Sequence, residues 1–528
     1  MITVEVEVGL TYGEEDIKNA LADTLPVTAR EIGEVEILKK SLLVGERAGY
    51  KLKVGAHFSP EREAGLLKMK KKVKPYPDFT FEIPEAFFRT RPVVIGAGPA
   101  GLFSALILAM AGGRPIILER GVKVEDRLSA VSDFFSGGEL NEENNVQFGE
   151  GGAGTFSDGK LKVGSQDKYK RKILEEFVLA GAPEEIKYLV GAHLGTDKLP
   201  LIVKNIREKI ISLGGEFLFE TRATDLEIKF DRIVSVSASC KGKTFKIPAE
   251  TVILATGHSA RDTFEMLLSK GIAMEAKGFG LGVRIEHKQS LINKLIYKDE
   301  NIANSAGSAS YRLVTHLPSG RSVYSFCMCP GGEVVAAASE RDGIVTNGMS
   351  NFKRNGENAN AALLVSLTPA DFGHAGVLGG IYFQREIERQ AYSLFGGYTA
   401  PALKLSDFLK RRESALEGEV RATYARGVAP ASPDKYLPSD IADSLRAGIL
   451  DFDNWLSGYA DGEALLVGPE TRSTSPVRIL RGEDYHCIGI SGLYPIGEGA
   501  GYAGGIISSA YDGVRCAEAI IEKERASN

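Results

Sequence analysis

The segment Val93-Val-Ile-Gly96-Ala-Gly98-Pro99-Ala100-Gly101 constrains this chain more than any other stretch. An apolar strand-like run, Pro92 to Ile95, leads into a Gly-x-Gly-x-x-Gly turn, and a helix-forming run, Ala100 to Ala111, continues from it. In that context the first glycine permits a tight turn, the second lets main chain approach a pyrophosphate, and the third lets helix and strand pack closely. The helix start offers free N–H groups and a positive dipole end to phosphates. A second strand, Pro115 to Leu118, ends at Glu119, 23 residues beyond Gly96. A carboxylate there accepts hydrogen bonds from ribose hydroxyls. The apolar run from Val93 to Leu118 is also long enough to span a bilayer. Its five glycines, two prolines and Arg114 argue instead for strand, turn, helix and strand.

The 528 residues suggest two to four domains at about 150 residues each. Residues 1–88 are expected to form a small α+β domain of ferredoxin-like content. Its strands are placed at Ile2 to Val8, Val35 to Val44 and Tyr50 to Phe58, and its helix at Glu14 to Leu25. The proline-containing stretch Val73 to Asp78 reads as a linker. Residues 89–274 alternate strand and helix, the pattern of a parallel sheet covered by helices. Strands are expected at Gly215 to Phe219 and Thr251 to Leu254, helices at Arg171 to Ala180 and Leu199 to Leu213, and an antiparallel meander between Leu226 and Ile247. Residues 275–480 form a second large unit of antiparallel sheet with helices. Residues 481–528 return to the first sheet and end in a helix from Gly505 to Lys523.

Charge and cysteine usage exclude several classes. A net charge of -5 and a pI near 6.0 leave no electrostatic footprint for nucleic acid or an anionic membrane. The basic run Lys68 to Lys74 is local and reads as a solvated face or linker. Five cysteines in a chain this long do not make a disulfide framework. The N-terminus has acids early and no basic segment before an apolar one, so no signal peptide is expected and the chain reads as cytoplasmic. Oligomeric state is not legible.

Three further motifs accompany the first. Gly492-Leu-Tyr-Pro-Ile-Gly497-Glu498-Gly-Ala-Gly501-Tyr-Ala-Gly504-Gly505-Ile506 resembles the second FAD fingerprint of two-dinucleotide-fold flavoproteins. There an acid, usually Asp and here Glu498, meets the ribityl chain or pyrophosphate, and the next helix points its N-terminus at the flavin. Thr251-Val-Ile-Leu-Ala-Thr256-Gly257 resembles the Ala-Thr-Gly signature of the same superfamily. The loop Gln147-Phe-Gly-Glu-Gly151-Gly152-Ala-Gly154-Thr155-Phe-Ser157-Asp-Gly-Lys160 mixes glycines with hydroxyls and charges, so its amides could cradle a flavin or phosphate. Its competing reading is a flexible surface loop.

Together these segments resemble a bacterial family of FAD-dependent dehydrogenases, the NAD(FAD)-utilizing dehydrogenases, with a fold like the glutathione-reductase and fumarate-reductase flavoproteins. The resemblance runs the length of the chain. It includes His193 to Asp197, Gly282 to His287, Cys327 to Gly332, Thr346 to Ser350 and Glu470 to Arg478. It implies an α/β fold: a Rossmann-type FAD-binding domain split in sequence, an inserted α+β substrate domain and the small N-terminal α+β domain. It implies non-covalent FAD and a redox role, and it names no substrate. The expected cofactor residues are Gly96, Gly98, Pro99, Ala100, Gly101, Glu119, Arg120, Gly151, Gly152, Gly154, Thr155, Ser157, Lys160, Ala223, Thr256, Gly257, Gly497, Glu498, Gly504, Gly505 and Ile506.

A flavin enzyme also needs groups that orient a substrate and move protons. Arg284, His287, Arg312, His316, Arg472 and Arg478 are candidates, each with a competing reading as a salt-bridged or surface residue. Arg472 stands out, in a polar stretch just before the chain re-enters the cofactor domain. Cys327 and Cys329 are the other candidates. They could exchange electrons with a flavin or form a disulfide, or simply be buried packing residues. On a regular strand the two thiols share one face. No second cysteine pair completes a metal site, so no metal is expected.

The expected function is that of an FAD-dependent oxidoreductase moving a hydride between flavin N5 and a small organic substrate. No second Gly-x-Gly-x-x-Gly with a trailing acid marks a nicotinamide domain, because Gly278-Phe-Gly280-Leu-Gly282 runs into a strand. NAD(P)H stays open as a donor, as does a donor protein. One alternative is an FAD-binding module that senses or binds RNA or protein through residues 1–88. Another is an NAD-binding dehydrogenase without flavin.

Overall fold

A computed structural model describes all residues except 45–47, 70–71, 162–166, 299–301, 303–305, 373–374 and 527–528. Lys70 and Lys71 of the basic run thus lie outside the described residues. The cofactor-motif region is a five-stranded parallel sheet in the order Leu493–Pro495, Val252–Leu254, Val93–Ile95, Ile116–Leu118, Glu216–Leu218. Its three neighbouring strands Leu493–Pro495, Val252–Leu254 and Val93–Ile95 are buried throughout. Strands covered on both faces carry continuous apolar runs rather than alternation.

The helix Pro99–Met110 has every residue from Ala100 to Ala109 buried. It is covered by the C-terminal helix Ile506–Ala526 and by Gly195–Ser212. The apolar run after Gly101 is therefore a core helix between a sheet and two other helices. Burying each large apolar side chain there contributes roughly 1.5–3 kcal/mol. No helix among the described residues is long and apolar enough to cross a membrane.

After Glu216–Leu218 the chain makes a three-stranded antiparallel sheet, Thr221–Lys229, Arg232–Cys240 and Lys243–Pro248, and returns to the parallel sheet at Val252–Leu254. It leaves again along Met274–Ala276 and comes back along Val477–Ile479, and these two segments pair antiparallel. Between them lies a seven-stranded sheet in the order Val314–His316, Ser322–Cys329, Asn358–Ser366, Gly280–Lys288, Leu465–Glu470, Ala400–Lys404, Val428–Pro430. Its neighbours run antiparallel except the last two, which are parallel. Its inner strands Gly280–Lys288 and Asn358–Ser366 are buried along nearly their whole length. The helices Gly379–Ser393 and Ser439–Trp455 pack on it.

The N-terminal domain runs strand, helix, strand, strand, helix, strand. Its antiparallel sheet has the order Val35–Leu43, Gly49–Ala56, Ile2–Gly9, Val73–Pro75. This is the split βαβ arrangement of ferredoxin-like domains. The linker expected at Val73 to Asp78 needs correction, because Val73–Pro75 pairs with Ile2–Val4 as the fourth strand. Pro75 is tolerated there because it ends an edge strand, where no donor is needed on the outer side. The domain docks on the next one through Lys40, whose N–H donates to the Tyr188 carbonyl at 2.8 Å and whose carbonyl accepts from Val190 at 2.9 Å. The true connection, residues 76–92, packs Phe81, Ile83 and Phe88 against the core around Pro99–Met110.

Candidate active site

The ends of the parallel strands open into one cavity of about 400 Å³. Its first wall is main chain. Gly96 adopts φ +102°, and a Cβ there would overlap the Ala255 carbonyl oxygen. At Gly101 a Cβ would overlap the Gly96 carbonyl oxygen. Gly101 does not line the cavity; its role is helix–strand packing. Gly98 faces Gly152 across a gap in which a Cβ would lie 3.9 Å from the Gly152 Cα. The helix Pro99–Met110 starts without a side-chain cap, so its first amides are available to an anion.

Glu119 is 5% exposed and collects three amides: Ala97 N–H at 2.9 Å on Oε2, and Gly121 at 2.9 Å and Gly149 at 3.0 Å on Oε1. The carboxylate thus ties the motif turn, the second strand and the glycine loop together. A carboxylate has about four acceptor sites, leaving capacity for a ribose hydroxyl. Arg120, beside it, pairs with Glu143 at 2.6 Å and Asp262 at 3.1 Å and lies over the Phe148 ring.

The glycine loop is buried and held, not a flexible surface loop. Arg127, fully buried, donates to the carbonyls of Asn145 at 2.9 Å, Val146 at 2.9 Å, Gly149 at 3.2 Å, Glu150 at 2.8 Å and Gly152 at 2.9 Å. One guanidinium fork therefore sets the loop's shape. Gly152, Gly154, Ser157 and Lys160 line the cavity. Gly151 and Thr155, expected beside them, do not. A Cβ at Gly151 would run into Thr155 Oγ1, and Thr155 is buried beneath the loop next to Arg127.

At the other end, Thr256, Gly257, Gly497, Glu498, Gly504, Gly505 and Ile506 line the cavity, as do Pro99, Ala100 and Ala223. The Gly497 amide is pinned to Asp512 Oδ2 at 2.7 Å, and Asp512 pairs with Arg481 at 2.6 Å. Burial pushes the Glu498 carboxyl up to about 8, with Lys277 pulling against it.

The inserted domain closes the cavity with Phe326, Cys327, Asn347, Glu470, Arg472 and Ser473. Glu470 is 3% exposed; its Oε1 pairs with Arg284 at 3.1 Å and its Oε2 has no protein partner. Burial raises it to about 7, opposed by Arg284. Arg472 lines the cavity, but it is paired with Glu388 at 2.8 Å and donates to the Ser339 hydroxyl. Glu388 also pairs with Arg261 at 2.9 Å, so the knot joins the helix Arg261–Ser269 to the inserted domain. His258 lines the cavity too; burial, and then Arg472 and Arg261, lower its pKa to about 3, so it stays neutral.

Several expected catalytic residues need correction. Arg284 is fully buried behind Glu470 and Cys327 and does not line the cavity; it positions those groups. His287 is buried away from the cavity, with Nε2 on the Tyr459 carbonyl at 2.8 Å. Arg312 and His316 are exposed at the sheet edge, and Arg478 pairs with Glu275 at 3.1 Å. Of the two cysteines only Cys327 lines the cavity. The strand expected to put both thiols on one face is broken there by a register shift between Phe326 and Cys329.

Gly257 and Gly504 leave open space where side chains would intrude, Gly98 and Gly152 face each other so closely that a Cβ at Gly152 would lie 3.2 Å from the Gly98 Cα, two helix starts face the same cavity, and Glu119 lies beside the second strand. That donor and acceptor set fits a dinucleotide with a flavin. A family model described as "FAD-dependent protein, C-terminal domain-like" matches residues 278–473, and one described as "Pyridine nucleotide-disulphide oxidoreductase" matches residues 90–296. The chain belongs to this family of FAD-dependent oxidoreductases. A protein of Clostridium beijerinckii described as "Uncharacterized protein" is 43% identical over 519 residues, covering 96% of each chain. Among solved structures, an E. coli quinol fumarate reductase is similar at 13% identity over 84% of this chain and 71% of that one, with a TM-score of 0.39. A flavin-dependent brominase is similar at 12%, 83% and 79%, with a TM-score of 0.38. A geranylgeranyl bacteriochlorophyll reductase-like protein of Thermoplasma acidophilum gives 11%, 83%, 79% and 0.37.

Proposed function

We propose that this protein moves a hydride between FAD and a small organic substrate bound where the inserted domain closes the cavity, with NAD(P)H as electron donor in a cytoplasmic setting. One observation carries the reading: the cavity built from the glycine motifs continues without a partition into Cys327, Glu470, Arg472 and Ser473 of the inserted domain. Bound FAD supplies two-electron redox chemistry; the protein supplies orientation, proton transfer and exclusion of water.

Gly98, Gly152 and the helix starts hold the phosphates, Glu119 the ribose, and Gly504 to Ile506 the flavin end. Lys160 lines the cavity, 23% exposed and 3.9 Å from Asp158, and is the cation offered to an anionic or carbonyl substrate. Arg472 has its charge compensated by Glu388 and acts as a hydrogen-bonding wall. Glu470 holds or releases a proton at Oε2 near neutral pH, where a general acid or base works best. Arg284 fixes Oε1 so that Oε2 keeps its direction.

Anaerobic addition of NADH, and separately NADPH, to the FAD-loaded protein tests the reading. Bleaching of the flavin band by either nucleotide is expected. A flavin band unchanged by both excludes NAD(P)H as donor.

A further inference from the structure

Phe326 and Cys329 pair with Ala362 and Asn360, so three steps on one strand oppose two on the other. Such an extra residue is a β-bulge, a device that re-aims a side chain. Cys327 sits in it at φ +39°, a conformation rare for a residue with a side chain. It lines the cavity while Cys329 is fully buried behind it. Arg284 clamps both: its Nη2 donates to the Cys327 carbonyl at 2.8 Å and reaches Cys329 Sγ at 3.7 Å. Cys329 Sγ itself donates to the Cys327 carbonyl at 3.2 Å. Glu470, whose buried Oε2 has no hydrogen-bond partner, is a lining residue of the same cavity.

We propose that Cys327 and Cys329 form a dithiol–disulfide couple that exchanges two electrons with the bound FAD. The proposal rests on FAD binding in this cavity, not on the identity of the organic substrate. Closing the couple forms the Sγ–Sγ bond and breaks the S–H bond of Cys329. Two electrons and one proton pass to oxidised FAD when Cys327 starts as the thiolate. Opening the disulfide reverses each transfer, with reduced FAD as the reductant. The pair's single negative charge belongs on Cys327, whose pKa the neighbouring Cys329 thiol and the charges of Lys160 and Arg284 lower, while Cys329 is pushed up. A half-buried thiolate at the cavity wall beside a buried thiol is the polarity a thiol–disulfide couple needs.

The test is an anaerobic dithionite titration of the FAD-loaded protein after mild diamide oxidation, with peptide mapping of residues 327 and 329 before and after. The wild type is expected to take up four electrons per FAD, and Cys327→Ser and Cys329→Ser two each. The wild-type peptide should lack two hydrogens before reduction and accept two alkyl groups afterwards, a readout that needs no variant. Uptake of two electrons by the wild type, with both cysteines alkylated before any reductant is added, overturns the couple. That result together with flavin bleaching by NADH leaves the proposed function standing. Four electrons in a protein that neither NADH nor NADPH bleaches supports the couple and removes the nucleotide donor.

Discussion

The two ends of the cavity are built from different materials. The end around Gly96, Gly98 and Glu119 is main chain: amides, glycines and one buried carboxylate that binds three of those amides. The end around Cys327, Glu470 and Arg472 is side chain, brought from separate strands and held by Arg284 and Glu388. A main-chain cradle recognises what all dinucleotides share, and its tolerance for change is steric. A side-chain wall carries charge and protons, and its tolerance is electrostatic. On the function proposed above, one end holds the cofactor and the other carries the chemistry done with it.

Substitutions should separate the two kinds of tolerance. The largest effect is expected for Gly101→Val, whose Cβ would overlap the Gly96 carbonyl oxygen and drive helix and strand apart. A cost above about 4 kcal/mol is expected, read as loss of soluble folded protein by circular dichroism. On the electrostatic side, Glu388→Gln removes the buried carboxylate that pairs with both Arg261 and Arg472 and leaves them only Glu340, at 2.5 Å from Arg261 and 3.8 Å from Arg472. Removing one partner of a buried pair costs about 3–5 kcal/mol, measurable as a lower midpoint in chemical denaturation; an unchanged midpoint would show that the knot is replaceable by neutral hydrogen bonds.

A third effect depends on pH. Glu498 is raised from 4.5 to about 8 in the fold, so the folded state binds its proton more tightly than the unfolded chain does. That contribution is fully present below about pH 4.5 and is lost as pH rises through about 8. The wild-type apoprotein should lose thermal stability across that window, and Glu498→Gln should show a shallower decline. Equal slopes would mean that Glu498 is not the group that titrates. The smallest effect belongs to the rim: Glu143→Ala breaks partly exposed pairs with Arg120 and Arg222, and less than about 1 kcal/mol is expected in the same denaturation experiment.

The same contrast decided what could be read from the residues in order. The main-chain end was legible because its parts are contiguous: a strand, three glycines, a helix, then an acid at fixed spacing. The split sheet and its C-terminal return followed from a second contiguous motif at Gly497 to Ile506. The side-chain end was legible only in fragments. Arg472 and Cys327 do reach the cavity, but Glu470, two residues before Arg472, carries the unpartnered oxygen and was not singled out. Arg284 and His287 could not be placed because Gly280–Lys288 is buried on both faces, so alternation gives no inside and outside to choose between. The bulge at Cys327 depends on pairing with Asn358–Ser366, which no local pattern contains. Arg127 was missed for the opposite reason: it looks like an ordinary helix-surface cation until the loop of residues 145–152 folds over it.

Gly98 offers the most direct test of the central claim. A Cβ there would meet only the Gly152 Cα, in ordinary contact at 3.9 Å, so Gly98→Val should leave the fold intact while filling the cradle. The measurement is the visible absorption spectrum of wild type and variant, each incubated with FAD and desalted, alongside their circular dichroism. The account predicts a stoichiometric oxidised-flavin spectrum in the wild type and none in a folded Gly98→Val protein. Equal flavin retention by the variant, or a wild type that takes up no FAD, would contradict it.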